Sequence, residues 1–139
     1  MNKNILYILS ILEAIEKIKV YKNDFKNAND FFDANLQKEF NATLNLLIAV
    51  GEEAKKIDDK LKLMVDFDWS QVIGLRNFLS HNYRGVDPDV IWDIVNNKLE
   101  KLKEVCILLI RKTETTKEQI TSVLNSPYYK NIKYLTDKL

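Results

Sequence analysis

The stretch RNFLSHNY, residues 76 to 83, gathers the chain's sole histidine, one of its three arginines, an amide and a tyrosine. These side-chain types suit the handling of a phosphodiester. An imidazole exchanges a proton near neutral pH, and a guanidinium holds phosphate oxygens with a planar fork. Arg76 is followed at once by Asn77, then by His81, Tyr83 and Arg84, so two of the three arginines flank the histidine in a chain that otherwise carries eighteen lysines. Preference for arginine at these two positions points to guanidinium geometry, which marks Arg84 as a further phosphate contact.

The chemistry that fits is metal-independent cleavage of RNA, in which the adjacent 2′-hydroxyl attacks phosphorus. It needs a base for that hydroxyl, an acid for the leaving oxygen and a cation for the charge on the phosphoryl oxygens. His81 suits the base and Arg76 the cation. One histidine per chain leaves the acid unassigned, and a twofold homodimer would supply a second imidazole. On a continuous helix each residue turns about 100°, so His81 lies about 140° from Arg76 while Asn77 shares the face of His81. Either the helix loosens near His81, ahead of Gly85, or the arginine curls round to the imidazole. Asn77 either orients the imidazole or contacts phosphate.

The elements that position these residues read as helices. Apolar residues at Ile5, Ile8, Leu12 and Ile15 give a first amphipathic helix of about five turns. Glu13 interrupts its apolar run and no small-residue cleavage site follows, which argues against a signal peptide. A polar loop, KNDFKNAND, ends at Asp30, the expected cap of a second helix carrying Leu36, Phe40, Leu44, Leu47, Ala54 and Ile57. Gly51 within that helix costs about 1 kcal/mol relative to alanine and predicts a close helix contact. Asp66 or Asp68 caps a third helix that starts near Trp69 and runs to the end of the motif. Asp87 and Pro88 are a cap and first-turn residue for a fourth helix continuing through Leu109. The expected fold is all-α, an antiparallel four-helix bundle over residues 1–111, with one or two short extra helices over residues 112–139. Tyr128, Tyr129 and Tyr134 in that extension read as packing or exposed aromatics.

Composition narrows the function classes. With 139 residues and a formal net charge of +1, the chain is one domain that contacts nucleic acid through a local patch and not over its whole surface. A single cysteine, Cys106 in the apolar run CILLI, rules out an internal disulfide and fits a reducing cytoplasm. No segment approaches the ~20 apolar residues of a membrane span. One histidine, no cysteine cluster and no glycine-rich phosphate loop argue against a metal, a cofactor or P-loop chemistry.

The Arg-x4-His-x-Tyr spacing, the GEEAKK segment at residues 51 to 56, the tryptophan opening DWSQVIGLRNFLSHNY and the sequence YRGVDPDVIWDIV resemble, in this order, the HEPN ribonuclease domains and within them the HepT-like toxins. The likeness covers roughly residues 1 to 111. It implies a HEPN-like bundle and a homodimer with a shared cleft in which Arg76 and His81 act on cellular RNA, messenger or transfer. It also implies the toxin role of a type VII toxin–antitoxin system, partnered by an MNT-type nucleotidyltransferase antitoxin that adenylylates the motif tyrosine, Tyr83. A carboxylate of GEEAKK, Glu52 or Glu53, is available to brace Arg76, or else both face solvent. Two other readings accommodate the same residues: a non-catalytic nucleotide- or RNA-binding module that partners a nucleotidyltransferase, and a helical dimerisation domain whose motif only packs.

Overall fold

The computed structural model describes residues 2–139. Helix α1 (Lys3–Lys22) is capped by Asn2, whose side chain accepts from the Asn4 amide at 2.8 Å. It is the central element. Ile5, Ile8, Leu9, Ile11, Leu12, Ile15 and Ile18 are all fully buried, so the apolar stripe is wider than an amphipathic surface helix needs. Each such side chain contributes about 1.5–3 kcal/mol of burial.

The polar loop expected after α1 gives way at Ala28 to an extra short helix, α2 (Ala28–Asp33). Asn27, not Asp30, is the cap: its side chain accepts from the Asp30 amide at 2.9 Å. A 3-10 turn over Ala34–Gln37 then places Asn35, Leu36 and Gln37 at φ of 53°, 55° and 66°, three successive left-handed residues without a glycine. Leu36, expected on the core face of the second helix, stands in this turn 96% exposed. Helix α3 (Lys38–Lys56) begins only after it and carries Phe40, Leu44, Leu47, Val50 and Ala54 inward. Ile57 is its C-cap and is buried.

A single turn, α4 (Asp59–Lys62), leads to α5 (Trp69–Asn82), capped by Asp68 through the Ser70 amide at 3.1 Å. The motif lies on α5. Asp87 caps α6 (Pro88–Asn97) with Pro88 in the first turn, as the sequence predicts. The expected fourth helix is not continuous, however. At Lys98 the backbone departs to φ −112°, and α7 (Leu99–Lys112) sets off anew. Asn96 donates its side-chain amide to the Trp92 carbonyl at 2.8 Å, and Asn97 donates to Asp93 Oδ1 at 2.7 Å. A side chain inserted on a carbonyl of the helical ladder is a recognised cause of such kinks.

Among the described residues the chain is all-helical, and the four long elements α1, α3, α5 and α6–α7 form the bundle. α1 packs on α3 along one side and on α7 along another, whereas α5 packs chiefly on α3. Only Trp69 and Leu79 of α5 are buried. Beyond α7, the 3-10 segment over Pro127–Ile132 packs on α1, with the short helices α8 (Lys117–Val123) and α9 (Leu135–Lys138) before and after it in the chain, and Ile120, Leu124, Ile132 and Leu135 are buried. Tyr134 donates to Glu16 at 3.1 Å, and Lys103 sits over its ring at 4.6 Å. Tyr128 is exposed. No helix among the described residues is long and apolar enough to cross a membrane.

Candidate functional site

Gly51 decides where Arg76 sits. A methyl group there would collide with Arg76 Cβ, lie 2.9 Å from its Cγ and lie 3.1 Å from the Val72 carbonyl. Without that methyl, α5 approaches α3 closely enough to lay the arginine stem across the glycine. The guanidinium emerges beside the next residue of α3, Glu52, and pairs with it through Nη2. Its Nη1 donates to Asn77 Oδ1 at 2.8 Å, while its Nε is buried without a partner. The pair is partly exposed, so it contributes at most about 1 kcal/mol to stability and matters for orientation. Glu53 turns away to Lys56 at 3.1 Å. Of the sequence's alternatives, Glu52 is therefore the brace, and Asn77 touches the guanidinium instead of the imidazole.

His81 stands apart from this cluster. It is exposed in the last turn of α5 and makes no hydrogen bond or ion pair among the described residues. The helix does loosen, but only from Asn82 (φ −126°), one residue too late to swing His81 toward Arg76. Nor does the arginine curl round, because Glu52 holds it on the α3 side. At about 100° per residue, Gly74, Phe78 and His81 fall on one outward stripe. Phe78 is 50% exposed and Gly74 has open space where a side chain would be.

Tyr83 and Arg84 lie in a third environment. The 3-10 turn over Tyr83–Gly85 leaves the tyrosine half-buried. Both residues line a cavity of about 450 Å³ with Phe32, Gln37, Phe40, Asn41 and Val86. Phe40 and Asn41 lie near the start of α3, whereas Arg76 contacts Gly51 near its end. Tyr83 is therefore about 10 Å along α5 from Arg76, and its charged neighbour is Arg84. The sequence points to neither Gln37, Asn41 nor Phe32 here, and reads Phe40 only as a helix-face residue, because nothing signals that a left-handed turn folds residues 32 to 41 against the motif's end.

The remaining reactive groups are not recruited. Cys106 is fully buried, and burial pushes its thiol up, so no thiolate is available there. No group of three His, Cys, Asp or Glu side chains converges among the described residues.

Residues 11–109 match the family described as ribonuclease HepT-like. A Methanocaldococcus jannaschii protein named gamma-glutamylcyclotransferase and, provisionally, RNase is 28% identical over 119 residues, covering 84% of this chain and 52% of its own. A second protein of that organism, provisionally named an RNase, is 31% identical over 101 residues, 71% of this chain and 81% of its own. A Thermococcus cleftensis protein named probable ribonuclease HepT is 31% identical over 98 residues, 70% of this chain and 86% of its own. The chain thus spans about half the length of the first relative and over four fifths of the other two. No solved structure matches it.

Proposed function

The chain belongs to the ribonuclease HepT-like family, and from that premise we propose that it is a metal-independent endoribonuclease working as a homodimer on cytoplasmic RNA. The observation that carries the dimer is the separation of Arg76 from His81. One chain turns its guanidinium toward α3 and presents its imidazole outward, on a stripe with Gly74 and half-exposed Phe78 that suits close approach of a second copy. Two copies meeting on this stripe bring two imidazoles to one cleft. One His81 takes the proton of the 2′-hydroxyl as the 2′-oxygen bonds to phosphorus, and the other gives a proton to the 5′-oxygen as its bond to phosphorus breaks. Arg76, held by Glu52 and Asn77 on the α3 side of α5, serves the charge on the non-bridging oxygens from the flank of that cleft where Asn77 lies.

Products should carry 2′,3′-cyclic phosphate and 5′-hydroxyl ends, and excess EDTA should leave the rate unchanged. Light scattering should give twice the chain mass. Cleavage that stops with EDTA and resumes with magnesium would replace the mechanism, and a wild-type chain that binds RNA without cutting it would return the non-catalytic binding module.

Within the same reading, the chain is the toxin of a type VII pair whose nucleotidyltransferase antitoxin adenylylates Tyr83. The attached phosphate would sit beside Arg84, where it competes with RNA for that cation. Tyr83→Phe removes the acceptor oxygen and keeps the ring. Intact mass after incubation with such a transferase and ATP should rise by one adenylyl group on the wild type and stay unchanged on Tyr83→Phe; equal modification of both would move the switch to another residue.

A further inference from the structure

The cavity beside Tyr83 gathers recognition chemistry that the hydrogen bonds and ion pairs of the described residues leave unused. Its lining includes Gln37 and Asn41, which carry side-chain amides, Tyr83, which carries a hydroxyl, and Arg84, which carries a guanidinium. None of the four side chains makes a hydrogen bond or ion pair among the described residues. Phe32 and Phe40, edge to face at 4.8 Å, form its apolar wall. At about 450 Å³ it lies in the size range of small-ligand sites. Gln37 is brought to it by the left-handed turn, a conformation that is unfavourable for the side chains of Leu36 and Gln37. Strain of this kind, retained next to a cavity, is characteristic of ligand-holding segments.

We propose that this cavity is a base-binding subsite that takes one unpaired adenine of an RNA strand. Resting on the ribonuclease reading, it assigns that base to the nucleotide next to the scissile phosphate. Asn77, Ser80 and His81 follow one exposed flank of α5 toward Arg84, which lines the cavity. A strand whose phosphates track this flank delivers its next base to the cavity. Side-chain amides pair bidentately with the N6 and N7 edge of adenine, and unstacked RNA bases are held on aromatic rings and on arginine planes.

The test uses the full chain carrying His81→Ala, so that RNA is bound and not consumed, with three fluorescent probes: hexauridine, the same strand with one adenine, and the same strand with one base-free ribose. The adenine probe should bind about tenfold more tightly than the other two. Gln37→Gly and Asn41→Ala should each remove most of that preference. Glycine is at ease at φ 66°, so Gln37→Gly does not threaten folding, and circular dichroism checks both variants. Equal affinity for the three probes alongside RNA cleavage by the wild type would overturn the subsite alone. A preference that persists while the wild type cleaves nothing would remove the ribonuclease reading and leave the subsite in place.

Discussion

His81→Ala should lower RNA cleavage by a factor of about 10²–10⁴, the usual contribution of a positioned acid or base, and by more if both copies act through it. The imidazole is exposed and unbonded, so its removal should leave helical content and thermal midpoint untouched. Arg76→Ala should cost about 10²–10³ through the lost charge. Arg76→Lys should recover little of it, because an ammonium cannot meet Glu52, Asn77 and a phosphate as a planar fork does. Initial rates on a fluorogenic oligoribonucleotide measure all three. Full activity in His81→Ala would leave the chain without its proposed base and would favour a packing role for the motif.

Gly51→Val should also damage the site, although it removes no functional group. Helix propensity alone favours replacing this glycine, by up to about 1 kcal/mol for alanine. The contact with Arg76 Cβ opposes it, since overpacking a tight helix pair costs about 1–3 kcal/mol. The contact should win. We expect a lowered melting temperature and, below it, cleavage reduced at least about tenfold as α5 is pushed away and the guanidinium loses its register with Glu52. Calorimetry and initial rates separate the two effects. A Gly51→Ala protein that melts higher and cleaves normally would show that α5 can shift without consequence.

How far the sequence could be read depended on whether a feature is local. Asp68, Asp87 and Pro88 mark helix starts because a cap acts on amides two or three residues away, and the apolar spacing of α1 and α3 reveals which side chains turn inward. Gly51 announces a close contact, yet only the fold identifies Arg76 as the other party. Leu36 was misplaced because its apolar character fits a helix stripe, whereas three left-handed residues without glycine have no compositional cue. The kink at Lys98 was hidden for a similar reason: the competition of Asn96 for the Trp92 carbonyl is a choice between two hydrogen bonds that periodicity does not record. In the motif, spacing correctly kept Arg76 and His81 on different faces. It could not show that Glu52 claims the arginine, or that Tyr83 lines a cavity built partly from residues about forty to fifty positions earlier.

The solitary, exposed His81 also makes the molecule its own spectroscopic probe. Every imidazole signal in a proton or nitrogen NMR spectrum of this chain belongs to that one side chain, with no assignment by mutagenesis required. A symmetric dimer would show each imidazole resonance as one line, and a strand lying across the cleft with its own polarity would split it into two. Counting that line before and after adding an uncleavable RNA therefore reports symmetry and occupancy together.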